Sequence, residues 1–221
     1  MDDGSSIFRK AMTSWWKTLK NRYTYYQWQK AFQIKKHLQN IENIFHDVNG
    51  FELSYLEKKD HPNLSLTYGE IHLESFLALL SLAKPRPEHV FYDLGSGVGK
   101  TVFAASMVYG FQKAYGIETL KNLNSIARNK QKKHARDLNM EFIQQDVQQV
   151  DWHDAHILFM NVASFVSDTW EALSKKLCEK PAPIIITCSK PLNNQKFSIH
   201  ETKVLCSWGI VPAFIHTIKI T

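Results

Sequence analysis

Two hydrophobic periodicities divide the chain near residue 60. Between residues 7 and 41, Leu19, Tyr23, Tyr26, Ala31, Ile34, Leu38 and Ile41 recur at mostly three- and four-residue steps, and neither Gly nor Pro interrupts them. That spacing predicts an amphipathic helix. Asn49-Gly50 predicts a turn, and Lys58 to Ser65, with His61-Pro62-Asn63 inside it, predicts a loop. Beyond residue 66 the pattern alternates. A helical stretch from Glu70 to Ala83 ends before Pro85 and Pro87, and an apolar run over 89–94 predicts a buried strand. Further strands are expected at 112–117, 140–144, 155–160 and 182–188, with helices at 100–109, 120–138 and 166–177 between them. Two final strands, near 201–207 and 213–220, leave no room for a helix, so they pair antiparallel. Strands spaced by helices imply a largely parallel sheet covered on both faces. The expectation is an α/β fold: a helical, basic and aromatic segment over residues 1–60, then a seven-strand domain over 61–221.

Charge and cysteine content narrow the setting. Lys and Arg number 27 against 21 Asp and Glu, a net charge of +6, which leans towards an anionic partner. The excess is local. Residues 7–41 hold eight Lys or Arg and no acid, and Lys121, Arg128, Lys130, Lys132, Lys133 and Arg136 form a second acid-free run. Either is a solvated helix face or a nucleic-acid or nucleosome contact; the aromatic-rich first run is also compatible with an anionic membrane surface. Three cysteines without a C-x-x-C pair suggest neither a disulfide framework nor a metal site. The longest apolar stretch is too short to span a bilayer, and the N-terminus lacks a secretory pattern. A reducing compartment is expected: the cytoplasm, with the nucleus or delivery to another cell left open.

The chemistry concentrates at Asp93-Leu94-Gly95-Ser96-Gly97-Val98-Gly99-Lys100-Thr101. A strand entering alternate glycines lets backbone approach a ligand where a helix begins. A phosphate-binding P-loop is one residue too short here, and Lys100 stands where a dinucleotide fingerprint needs Gly or Ala. Asp93 favours a third ligand: a carboxylate at the strand tip attracts a cationic amino-acid group and repels a pyrophosphate. Glu118, at the end of the second strand, can accept ribose hydroxyls. Asp146 ends the third strand with Val147 after it, and Asn161 ends the fourth. Ligands gather at the carboxyl ends of such strands, so these residues are expected to converge on one crevice.

The D-x-G-x-G-x-G run resembles the first motif of class I methyltransferases, which bind S-adenosylmethionine. Thr67-Tyr68-Gly69-Glu70, the D-L-G-S-G-V-G wording of residues 93–99, Ser189-Lys190-Pro191, and Trp208, Pro212 and His216-Thr217-Ile218 resemble a narrower group. It is the non-SET histone lysine methyltransferases of the disruptor-of-telomeric-silencing type. The resemblance covers about residues 66–219. It implies a Rossmann-like seven-strand sheet binding S-adenosylmethionine. Tyr68, Glu70, Asp93, Gly95, Ser96, Gly97, Gly99, Glu118, Asp146, Val147 and Asn161 would contact the cofactor. Tyr68, Asn161, Phe165 and Trp208, with Ser189 nearby, would shape a channel for a protein lysine. Where the family reads N-N-F-A-F, this chain has Asn161-Val162-Ala163-Ser164-Phe165.

The implied reaction is in-line methyl transfer to a neutral lysine nitrogen. Alignment and desolvation do the work, and no strong general base is required. His216, in an apolar strand, is expected to be a core residue. Methyl transfer to RNA or DNA, motivated by the basic runs, and a non-catalytic cofactor-binding module remain alternatives.

Overall fold

A computed structural model describes residues 22–60, 68–165 and 167–219. Helices α1 (Arg22–Ala31), α2 (Ile34–Phe45), α3 (Gly50–Asp60) and α4 (Leu73–Leu82) precede β1 (Val90–Leu94). Then follow α5 (Lys100–Tyr109), β2 (Lys113–Glu118), α6 (Lys121–His134), β3 (Met140–Gln144) and β4 (Ile157–Asn161). A 3-10 turn (Val162–Ser164), α7 (Ser167–Glu179), β5 (Ile184–Cys188), β6 (Phe197–Cys206) and β7 (Gly209–Ile218) complete the order. The seven strands form one sheet, β3-β2-β1-β4-β5-β7-β6. β1 to β5 run parallel, and β7 is antiparallel to both β5 and β6. The seven-strand α/β expectation therefore holds, closing hairpin included.

Every residue of β1 is buried, as a central parallel strand requires. Strand alternation sorts its side chains. Phe91 joins Phe76, Phe103 and Phe159 in the core under α2, α4, α5 and α6. Val90, Tyr92 and Leu94 join Leu173 and Leu177 of α7 on the opposite face. Asp93 is in phase with Phe91, and Asn161 with Phe159, so the pleat sends both polar strand ends to the α5 side of the sheet.

Several local expectations shift. The helix predicted over 7–41 is two helices among the described residues, because Gln33 adopts φ 47°, a left-handed break after α1. The break resets the phase of the stripe: Ile34 and Ile41 are fully buried, whereas Tyr26 is 59% exposed. Leu19 and residues 7–21 lie outside the described residues. Asn49-Gly50 opens α3 instead of closing a turn, with Asn49 Oδ1 accepting the Glu52 N–H at 3.2 Å as an N-cap. Lys58–Asp60, expected in a loop, end that helix. The helix expected over 120–138 stops at His134.

The helix expected from Glu70 begins at Leu73, because the preceding backbone is claimed by the β6–β7 hairpin. Ile71 bridges Cys206, the His72 N–H donates to Leu205 O at 2.9 Å, and the Ser207 N–H donates to Glu70 O at 2.8 Å. The loop at Tyr68-Gly69-Glu70 is thereby fastened to the hairpin tip.

His216 is fully buried, as expected of a core residue. Its Nε2 accepts the Leu192 N–H at 2.9 Å and its Nδ1–H donates to Ile185 O at 3.0 Å, which sets a neutral tautomer. His216→Leu strands both groups in the interior. The expected loss is about 2–3 kcal/mol in urea unfolding, and an unchanged midpoint would refute this structural role.

Candidate functional site: a crevice at the carboxyl ends of the strands

The tight turn after β1 is held by β2: the N–H groups of Gly95 and Ser96 both donate to Ile117 O at 2.9 Å. Gly97 and Gly99 carry φ of +55° and +92°. A Cβ on Gly99 would stand 2.7 Å from the Phe142 ring, so close packing of α5 against the sheet needs glycine there. A Cβ on Gly97 would stand 2.9 Å from the Tyr68 ring, so the Tyr68 loop lies directly over the turn.

Two buried carboxylates organise this turn. Glu118 accepts the Gly97 N–H through Oε2 and the Leu120 N–H through Oε1, each at 2.8 Å. Burial pushes its carboxyl above the ordinary range, and those backbone donors pull it back down. Asp93 is 2% exposed and accepts a hydrogen bond from the Thr101 hydroxyl. Burial, opposed by that hydrogen bond and reinforced by the Glu118 charge, raises its carboxyl to about 7. Nearby, α3 docks on the first turn of α6, where the buried Glu57 accepts the Asn122 N–H at 3.0 Å.

Above the turn, the Tyr68 hydroxyl donates to Glu70 Oε1 at 2.7 Å and Phe51 meets its ring edge-on at 5.1 Å. Lys100 Nζ bonds both oxygens of Glu70, at 2.9 and 2.8 Å. Burial and the Glu70 charge raise the Tyr68 hydroxyl well above the usual phenol range. Such a group donates a hydrogen bond and does not act as a base near neutrality.

These elements line one crevice at the carboxyl ends of the strands. Asp93, Glu118, Val147 and Asn161 line it, as the convergence argument expected, and so do Tyr68, Glu70, Gly95, Ser96, Gly97 and Phe165, which the family resemblance implied. Three residues expected at the site do not line it. Gly99 lies behind the turn against Phe142. Asp146 turns its Oδ1 to the Gln148 N–H at 2.9 Å in its own turn. Trp208 is 45% exposed at the hairpin tip and packs against Gly69, where a Cβ would meet its ring at 2.2 Å. Ser189 sits at the end of β5 with φ 77°, its N–H donating to Pro212 O at 2.8 Å.

Other lining residues were not singled out from the sequence. Ser54 comes from α3, Phe159 from β4, and Lys100 and Thr101 from the first turn of α5. The one available signal was the polar pair Lys100-Thr101 directly after the glycines.

Comparison with known proteins bears on family and fold. The family described as histone methylation protein DOT1 matches residues 56–207. A histone-lysine N-methyltransferase, H3 lysine-79 specific, from Eremothecium gossypii is 32% identical over 114 residues, covering 45% of this chain and 19% of that relative. The aligned region is thus about a fifth of that relative's length. Among solved structures, an RNA methyltransferase from Salinibacter ruber in complex with S-adenosyl-L-homocysteine superposes with TM-score 0.54 at 24% identity, covering 66% of this chain and 92% of that one. Magnesium protoporphyrin IX methyltransferase from Synechocystis PCC 6803 with bound SAM gives TM-score 0.56 at 14% identity, covering 82% and 91%. These two structural likenesses establish the fold, a Rossmann-like sheet of the class I methyltransferase kind. With its family match spanning well over half of the sequence, the chain belongs to the histone methylation protein DOT1 family.

Proposed function

We propose that the crevice binds S-adenosylmethionine and that the protein methylates a lysine of a histone. The observation carrying this reading is the charge and shape of the crevice. Three carboxylates (Glu70, Asp93, Glu118) and one cation (Lys100) line it around a glycine turn that leaves backbone bare. A phosphate ligand would meet repulsion there, whereas a sulfonium amino acid joined to a nucleoside matches the donor set. The buried Ser96 hydroxyl, part of the same turn, has no hydrogen-bond partner among the described residues and is available to a ligand.

On this reading Gly95, Ser96, Gly97 and Asp93 hold the amino-acid end, Glu118 takes the ribose hydroxyls, and Val147 packs on the adenine. Asp146 would approach the adenine amino group only by leaving Gln148. The cofactor supplies an electrophilic methyl group. Asn161 and Phe165, at the end of β4, orient the acceptor nitrogen, with Tyr68 and Trp208 toward the outer rim. Their largely apolar walls desolvate the lysine and favour its neutral form, so no strong base is needed. A histone acceptor sets the working compartment where chromatin is.

The exposed cations of α6 fit the same reading. Lys121, Arg128, Lys132, Lys133 and Arg136 are exposed, while Lys130 is paired with Asp47. Such a face contacts phosphodiester charge and gives salt-sensitive affinity.

Incubation with deuterated S-adenosylmethionine and separate nucleosome, free-histone and nucleic-acid substrates tests this. The expected product is a deuteromethylated histone lysine, favoured on nucleosomes at low salt. Label confined to nucleic acid and released by nuclease would overturn the lysine assignment. Absence of transfer despite cofactor binding would favour a non-catalytic module.

A further inference from the structure

The direction of α1 carries a further inference, which rests on the lysine-methylation reading. Near the start of α1, the Tyr25 hydroxyl and Gln29 Nε2 both donate to Glu74 Oε1, the latter at 2.6 Å. Glu74 belongs to the first turn of α4, and its neighbour Leu73 lines the crevice. At the other end, Phe32 directly follows the last residue of α1 and meets the Tyr109 ring at 5.3 Å. Tyr109 is the last residue of α5, whose first residue, Lys100, lines the crevice. That 10-residue helix places its two ends about 14 Å apart. Helix α1 therefore runs opposite to α5, with its N-terminus towards the crevice end of the molecule.

The chain that precedes Arg22 leaves the described residues at that same end. It comprises 21 residues, and from residue 4 onward it holds Arg9, Lys10, Lys17 and Lys20 without an acid. The crevice offers the complementary sign: Glu70, Asp93 and Glu118 line it, with Lys100 the one cation among the described lining residues. Span separates the lysines. Arg22 lies one helical turn, about 5 Å, beyond Tyr25. At ~3.5 Å per extended residue, Lys10 commands up to about 40 Å from Arg22 and Lys17 up to about 17 Å. Lys20 commands about 7 Å, too little to double back.

We propose that Lys10 or Lys17 is an acceptor in cis, so that the protein methylates its own N-terminal segment. The lysine first loses its ammonium proton to solvent, and its neutral Nζ attacks the methyl carbon in line. The N–C bond forms as the C–S bond breaks, and the electron pair stays on sulfur. The products are S-adenosylhomocysteine and a methyl-lysine that keeps its positive charge. Tethering favours this acceptor over a free one, because the segment is present at a high effective concentration.

Incubating the whole chain with deuterated S-adenosylmethionine, with and without histone, tests this by peptide mass spectrometry. The expected product is deuteromethyl on Lys10 or Lys17, formed at a rate per molecule that does not change on dilution. The double variant Lys10→Arg, Lys17→Arg loses the self-label and keeps histone methylation. A second readout needs no turnover: carbodiimide coupling of the cofactor-free protein is expected to join Lys10 or Lys17 to Glu70 or Glu74. Coupling of these lysines only to other carboxylates, or to none, would overturn the placement. A rate that falls on dilution would mean one copy modifying another, and label confined to other lysines would mean a different acceptor; either overturns the proposal. Labelled histone without self-label refutes this inference and leaves the lysine reading standing. Label on neither means that the lysine reading itself fails and takes this inference with it.

Discussion

Gly97→Arg abolishes S-adenosylhomocysteine binding, weakening it by about 100-fold or more in calorimetry, while Gly110→Arg leaves it unchanged. Both glycines are in left-handed backbone, at φ +55° and +60°, so both substitutions incur a similar backbone cost of roughly 1 kcal/mol. Their surroundings differ. Nothing lies within 4 Å of a Cβ built on Gly110, at the C-terminal end of α5, whereas one on Gly97 stands 2.9 Å from the Tyr68 ring. Tyr68 cannot retreat freely, since its hydroxyl is bonded to Glu70 and Phe51 abuts its ring. The arginine must therefore displace the loop or enter the crevice, and either outcome removes the ligand. Equal effects at the two positions would show that backbone strain, not occupancy of the crevice, sets the loss.

What could be read from the sequence follows the range of the interactions involved. Five parallel strands and their helices were legible because buried runs and their breaks are local signals. The hairpin's antiparallel sense followed from the absence of chain for a crossover. Glu118, Asn161 and the glycine turn were legible because strand ends in such sheets share one edge. The errors have a common origin. Asn and Gly serve both turns and helix starts, so Asn49-Gly50 alone does not say which. The onset of α4 at Leu73 depends on backbone bonds from Glu70 and His72 to Ser207 and Leu205, more than 130 residues away. Ser54 reaches the crevice only because α3 packs on α6, and Lys100 gains its meaning only once Glu70 is seen against it. Asp146 has the right position in the chain, but its carboxylate is bonded within its own turn.

Asp93→Asn stabilises the protein at alkaline pH and removes its ligand affinity. An aspartate in an unfolded chain ionises near 3.8, and burial keeps Asp93 protonated up to about 7 in the folded state. Between those values the folded protein binds the extra proton, so stability falls as pH rises through the window and levels off above it. The span is worth up to ~4 kcal/mol, a cost incurred in full only when the carboxylate is charged. Urea unfolding is therefore expected to show nearly equal stabilities for wild type and Asp93→Asn at pH 4. The variant should lead by a few kcal/mol at pH 8, and the residual slope in the variant then belongs to groups such as Glu118. Binding moves the opposite way. The ionised carboxylate is the form that attracts the cationic end of S-adenosylhomocysteine, so wild-type affinity rises as pH climbs through 7. A ligand cation also draws the proton off Asp93, so below pH 7 binding releases a proton and its heat varies with the ionisation enthalpy of the buffer. A variant less stable than wild type at pH 8, or wild-type affinity flat from pH 6 to 8, would refute this role. On the proposed reading, the folded state tolerates a buried carboxylate here because the ligand, not the fold, would supply its counter-charge.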